Sequence, residues 1–317
     1  MDFRRSRTAR RRSWYGLKAP AKRVLAWSAP HAALRAVARR WPALARSGRL
    51  PAPANLAEVE GEALGHRFVM LRPDRCEIAK ELYWGKGRRP RPEDALAIDV
   101  FARLARQSDV LLDIGAYTGI FTLVGTAVSD TVRAHAFEIV PHVFQALFAN
   151  CVRNDVLHRA TLHHVGIGAP GDSMPVPTGG GGSALPSYYS RSLHFEGGVL
   201  VEFVSLDSLI PLVHAGARVV AKIDVEGTEH DVFRHGQSFL SSYRPDVICE
   251  VLAGVAHHEE LEPLIPTGYA RYLIGQESLS PRPHVEPDQH FRDWLFTART
   301  RDELVSLGVP VAGGQGQ

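Results

Sequence analysis

The chain has 317 residues, 45% of them apolar, enough for one substantial core with appendages, and this excludes a wholly disordered protein. Its formal net charge of +3 conceals a division, because residues 1–49 hold fourteen of the 37 Lys/Arg and a single acid, Asp2. This stretch is therefore strongly basic and the remainder, with 23 basic and 33 acidic residues, is acidic. An acidic body disfavours nucleic acid as a partner of the whole protein, while the basic stretch reads either as a solvated arm or as a contact for a membrane surface or another protein.

Cys76, Cys151 and Cys249 are widely spaced and lack C-x-x-C pairing, so no zinc ribbon or disulfide framework is expected, and buried free thiols fit best. No apolar run reaches the length that spans a bilayer, and Arg and Pro interrupt the Ala-rich stretch over 24–45. A soluble, cytoplasmic protein is the expectation. Arg10-Arg-Arg-Ser-Trp-Tyr-Gly16 has the outline of a twin-arginine export signal, but no apolar segment or small-residue cleavage site follows it; the Arg-rich, acid-poor start also permits an organelle-targeting reading.

In chain order, residues 1–52 form a basic extension, flexible or partly helical, with a loose helical pattern over 20–46 and a linker at Pro51-Ala-Pro53. Residues 53–107 read as a lead-in, with a strand over 67–71 and an amphipathic helix over 92–106 opened by Pro and two acids. Over 108–300 apolar runs alternate with helical stretches: strand 110–114 and helix 119–129, strand 134–138 and helix 141–153, strand 161–165, strand 219–224 with a helix to about 240, strand 246–251 with a helix near 257–265. Late strands near 269–274 and 293–297 follow, and 301–317 is set apart as a tail. Such alternation predicts an α/β fold with a doubly wound, mostly parallel seven-stranded sheet.

An insertion over 169–205 interrupts the alternation. It is rich in Gly and Ser, with four glycines running into Ser183 and with Tyr188 and Tyr189 beyond. Consecutive glycines cannot be core helix or strand, so two readings stand, a lid that places Ser183 on a substrate and a plain surface excursion.

The first strand of the main region ends in Asp113-Ile-Gly115-Ala116-Tyr117-Thr118-Gly119, a turn that opens a helix at the edge where open α/β sheets bind ligands. Glycines let backbone approach a cofactor closely, and amides at the helix start can receive a carboxylate. Ala116 and Tyr117 break the G-x-G-x-x-G spacing that clears room for a pyrophosphate, which disfavours a nicotinamide cofactor. The spacing suits the amino-acid end of S-adenosylmethionine, with Asp113 keeping the site polar. Glu138 closes the second strand, where an acid can accept both ribose hydroxyls. The strand over 219–224 ends in Lys222-Ile-Asp224-Val-Glu226-Gly-Thr-Glu229; charge at that edge faces the ligand crevice, although Glu226 and Glu229 also fit a role as acids of the next helix start.

At this point the sequence resembles the FkbM-type methyltransferase family. The resemblance rests on residues 113–119, on Glu138 with Pro141, Asn150 and Asn154, on Ser205-Leu-Asp207, and above all on residues 222–229; Arg244-Pro-Asp-Val-Ile-Cys-Glu250 and Gly268-Tyr269 also fit. It implies a class I fold, S-adenosylmethionine as cofactor, and O-methylation of a hydroxyl on a sugar or secondary-metabolite-type small molecule. Two departures stand out: Pro141 lies three residues after Glu138 rather than directly after it, and Val165-Gly-Ile-Gly168 offers no acid for the adenine amino group.

An alcohol acceptor must lose its proton, and a positioned carboxylate or imidazole can take it. Asp224 and Glu226 rank first as catalytic residues, with Asp224 also placed on the cofactor; His257 and His258 are the imidazole candidates. Glu250 and His257 join Ser183 as expected acceptor contacts. Asp224 and Glu250 could instead share Mg²⁺, the less favoured reading. His163 and His164 lack metal-ligand spacing, and Trp14, Trp27, Trp41 and Trp84 read as packing or tail anchors. The competing class is a non-catalytic scaffold that keeps the cofactor fold and works through its basic extension.

Overall fold

The computed structural model describes residues 28–40, 50–176, 198–254 and 257–313. Helix α1 is Ser28–Arg40. The hairpin β1 (Glu58–Ala63) and β2 (His66–Leu71) is followed by α2 (Glu77–Trp84) and α3 (Pro92–Ala105). Then come β3 (Val110–Ile114), α4 (Ile120–Val128), β4 (Arg133–Phe137), α5 (Pro141–Arg153) and β5 (Ala160–His163). β6 (Gly166–Ile167) leads into the insertion, which carries β7 (Ser173–Val176) and β8 (Val199–Val204), and a 3-10 helix, Leu206–Leu212, leads out of it. The chain closes with β9 (Val219–Ile223), α6 (Glu229–Arg234), α7 (Gln237–Tyr243), β10 (Asp246–Glu250), α8 (His258–Leu261), β11 (Ala270–Ile274), β12 (Leu279–Arg282), β13 (Asp293–Thr297) and α9 (Arg301–Ser306).

β3, β9 and β10 are buried at every position, as strands covered on both faces must be. They sit at the centre of an eight-stranded sheet of order β12-β11-β13-β10-β9-β3-β4-β5. The strands from β10 to β5 pair in parallel, and β13 enters antiparallel between β10 and β11. The sheet is thus mostly parallel, and β12 adds an eighth strand to the seven that periodicity suggests, pairing antiparallel with β11 at the edge. Pro281 within it, and Pro283 and Pro287 after it, hide so short a strand from a periodicity reading.

Alternation along the strands divides the core. Leu111 and Val220 point into one layer with α3 and α4, whereas Val110, Leu112, Val219 and Ala221 point into the other with α6 and α7. The hairpin and α2 belong to the first layer, where Phe68, Met70 and Leu82 are buried together with Leu123 and Val124. The stretch after residue 300 packs as well: α9 opens with a capping box between Thr300 and Glu303, Leu304 and Val309 are buried, and Val311 bridges to Leu279. The described ends of the insertion form an antiparallel pair, β7 with β8, whose Met174, Val176, Val201 and Phe203 cluster on Val140 and Val143 and carry Tyr117 at their margin.

Candidate active site

The parallel strands β3, β4 and β9 place residues 113–119, 138 and 224–229 at one sheet edge, and their loops interlock. Gly115 has φ +78°, and a Cβ there would lie 1.8 Å from the Asp224 carbonyl oxygen, so only glycine lets the ends of β3 and β9 touch. Asp224 N donates to Ile114 O at 2.9 Å, and Gly115 and Ala116 donate to Phe137 O, which ties all three strand ends together. Two bulky residues on these loops, Tyr117 (φ 50°) and Glu226 (φ 55°), hold the left-handed backbone that L side chains resist. Strain of this kind persists only where the surroundings over-determine it, and it gathers at functional sites.

Asp113 is buried, and its Oδ2 accepts from both Thr122 N (2.9 Å) and Thr122 Oγ1 (2.6 Å), occupying the exposed donors of the first turn of α4. Burial pushes its carboxyl up to about 6, against the lowering by Thr122. Glu138 is also buried; its Oε2 accepts from Tyr117 N at 2.9 Å and its Oε1 from Val140 N at 2.7 Å. Burial raises it to about 7 although these amides favour the anion. The carboxyl therefore holds the glycine turn from behind and keeps lone pairs that can accept further hydrogen bonds. Thr118 is fully buried and touches Cys76 Sγ at 3.2 Å; Asn150 Nδ2 donates to Thr118 O at 2.8 Å.

On β9 the charged run divides by role. Glu229 Oε1 accepts from Gly227 N (3.0 Å) and Val225 N (3.3 Å), so Glu229 folds back to hold its own loop. Asp224 is one-third exposed at the crevice, 3.7 Å from Lys222 Nζ. Lys222 is 2% exposed, lies 5.5 Å from the Phe121 ring and bonds Asp293 Oδ1 at 2.9 Å. Burial works against its charge, but Asp293, Asp224 and Glu250 outweigh that and raise its pKa. Glu226 is half-buried; desolvation first, then Asp224 and Glu229, push its carboxyl up to about 7.

Glu250 is 5% exposed, and Arg292 Nη1 reaches its Oε1 at 3.1 Å. Burial, aided by Asp224, holds its carboxyl well above the usual range. Arg292 Nη2 extends to Asp94 Oδ1 on α3 at 3.3 Å, and Asp94 meets Arg89 at 2.9 Å. Sequence reasoning missed Arg292, Asp293 and Asp94; the one local sign was an Arg-Asp pair opening the apolar strand Trp294-Leu-Phe. His257 pairs with Glu260 (3.3 Å) and lies against His230. Ser183 falls outside the described residues. Among the described residues no three His, Cys, Asp or Glu side chains are grouped to hold a metal, and no helix is long and apolar enough to cross a membrane.

The Methyltransferase FkbM domain matches residues 113–272, half of the chain, and its span takes in all three strand ends. The chain belongs to the FkbM methyltransferase family. Among solved structures it is similar to a methyltransferase FkbM from Methylobacillus flagellatus KT, at 17% identity and a TM-score of 0.39, with 60% of this chain and 43% of that one covered. This FkbM-family chain thus spans less than half the length of that relative. It is also similar to a precorrin-6y C5,15-methyltransferase from Geobacter metallireducens GS-15 (13% identity, TM-score 0.37, 64% and 87% covered) and to a putative O-methyltransferase from Klebsiella pneumoniae (14%, 0.37, 63% and 77%). No curated protein matches it. The methyltransferase fold implies use of S-adenosylmethionine, and the residues suit that group: acids at three strand ends for a cationic ligand with ribose hydroxyls, and a turn whose glycines admit close backbone approach.

Proposed function

We propose that the chain transfers a methyl group from S-adenosylmethionine to a hydroxyl of a sugar or secondary-metabolite-type small molecule, with Glu226 taking the hydroxyl proton. The observation that carries this reading is Glu226 itself, held in left-handed backbone beside Asp224 with its carboxyl pushed up to about 7. A base works best when its pKa lies near the working pH. An alcohol acceptor needs such a group, whereas a more acidic acceptor would not.

When bound, the cofactor supplies an electrophilic methyl on a sulfonium. Residues 115–119 would receive its amino-acid end, Glu138 would accept its ribose hydroxyls, and Asp224 would offset its positive charge. Holding the acceptor oxygen in line supplies most of the rate, and the ordered loops at the three strand ends provide the rigid frame for it. Glu250 would act through Arg292, and His257 would contact the acceptor at the margin.

Calorimetry with S-adenosylmethionine, followed by a screen of crude cell metabolites for labelled methyl gained from the cofactor, tests the reading. Binding followed by a labelled O-methyl product is the expected outcome. No binding by folded protein would overturn it, and a labelled product methylated at nitrogen or carbon would remove the hydroxyl.

A further inference from the structure

A doubly wound sheet normally covers its faces with the helices of successive crossovers. The crossover from β5 to β9 departs from this: its described residues form β6, β7, β8 and a 3-10 helix, and no α-helix. On the α6 and α7 side of the sheet, His135 and Thr161, cross-strand partners on β4 and β5, are accordingly left partly open to solvent. An open cavity of about 500 Å³ lies there, at the edge where β3, β4 and β5 begin, the opposite edge of the sheet from Asp224 and Glu226. Its volume falls within the range of small-molecule sites, about 300–1,000 Å³.

The charge of this cavity opposes that of the acidic body. Arg133 donates from Nη1 to His158 O at 3.0 Å, and Arg159 donates to Ser129 O and Thr126 O at 2.7 and 3.0 Å. Carbonyl oxygens orient a guanidinium without cancelling its charge. The carboxylate in the lining, Asp109, is held by Arg218 through its backbone N (2.9 Å) and its guanidinium (3.3 Å). Arg133, with one nitrogen engaged, therefore presents the oriented fork at the cavity, while Arg159, whose Nε also meets His158 Nε2 at 3.3 Å, is committed at every nitrogen and adds charge alone; Leu157 (39% exposed) and Leu212 (53%) form an apolar rim.

We propose that this cavity is a second ligand site, distinct from the methyl-transfer crevice, and that it takes a small phosphate monoester, the phosphate on the Arg133 fork beside the charge of Arg159 and the organic part on Leu157 and Leu212. Arginine is the residue suited to phosphate oxygens because its planar fork donates in pairs. The volume exceeds what a bare phosphate fills, which is why an ester rather than the free ion is inferred.

The test is calorimetry and thermal shift on the full chain with inorganic phosphate and with AMP as probes, in parallel with S-adenosylmethionine. Phosphate is expected to raise the melting temperature, AMP to bind at least tenfold tighter than phosphate, and Arg133→Gln to remove both effects while leaving S-adenosylmethionine binding unchanged. Arg133 is exposed and gives up one hydrogen bond, so the variant folds; Leu212→Glu, also exposed, is expected to spare phosphate and lose the gain shown by AMP. Absence of any shift with either probe, or an unchanged shift in Arg133→Gln, overturns the site. Equal affinity for phosphate and AMP overturns the ester. Loss of S-adenosylmethionine binding in wild-type protein bears on the methyltransferase reading alone.

Discussion

Lys222 Nζ bonds Asp293 Oδ1 at 2.9 Å across an intervening strand, for β10 runs between β9 and β13. Both side chains are buried or nearly so, with relative exposures of 2% and 12%. Removing one member of a buried ion pair leaves the other desolvated and uncompensated, at about 3–5 kcal/mol. Lys222→Met is therefore expected to lower stability by that amount in urea unfolding. The double variant Lys222→Met with Asp293→Leu should recover most of it, because no buried charge is then orphaned. Recovery would also separate a purely structural pair from one that holds Asp224, since Asp224 loses its 3.7 Å cation in both variants.

Asn150 joins the hairpin to the cofactor turn. Its Oδ1 accepts from Leu71 N at 2.8 Å and its Nδ2 donates to Thr118 O at 2.8 Å. Asn154, one helical turn on, pairs with both Val69 N and Val69 O but touches no residue of the turn. Asn150→Ala and Asn154→Ala should each cost about 1–3 kcal/mol through partly buried groups left unpaired. Only Asn150→Ala should also weaken S-adenosylmethionine binding, by about tenfold, as read by calorimetry.

The spacing of Asn150 and Asn154 was visible in the sequence, but their partners were not, because a β2 edge 79 and 85 residues away leaves no local mark. Strands 110–114, 219–223 and 246–250 were legible for a simple reason: burial on both faces makes them unbroken apolar runs. The glycine turn and the acids at three strand ends were legible too, since backbone conformation and strand ends constrain residue type. The sequence places Asp113 as a polar group at the cofactor; in the structure it is buried and bonds Thr122, a partner that spacing alone does not reveal. The network through Asp94, Arg292, Glu250, Lys222 and Asp293 was not legible. Its members come from α3, β9, β10 and β13, and charge complementarity between distant segments has no period to read.

Gly115→Ala tests the contact between the ends of β3 and β9. The position combines φ +78° with an added Cβ 1.8 Å from Asp224 O, a backbone atom that cannot rotate away. The left-handed conformation alone costs about 1–2 kcal/mol for a residue with a Cβ, and moving the Asp224 loop adds to it. The expected outcome is a lowered melting temperature and cofactor affinity reduced by at least about tenfold. Alanine at Gly171, which also has positive φ but nothing within 4 Å, should show a stability loss without the loss of binding.

Glu226 sets the expected pH dependence. Desolvation, then Asp224 and Glu229, raise its carboxyl from 4.5 to about 7, and only the anion can take a proton. Turnover should therefore rise tenfold per pH unit up to about pH 7 and level off above it. Glu226→Gln should lower turnover by about 10²- to 10⁴-fold and abolish that break, with cofactor affinity little changed. The stability consequence has the opposite sense. Because the folded pKa lies above the unfolded one, the folded state binds the proton more tightly, and this group's contribution to stability is lost as pH rises from about 4.5 through about 7. Glu138, also raised to about 7, contributes in the same direction. Urea unfolding at about pH 5 and about pH 8 should thus show a smaller difference in Glu226→Gln than in wild type, while the Glu138 part persists. A break in the rate profile that survives Glu226→Gln would move the base to another group, Asp224 first among them.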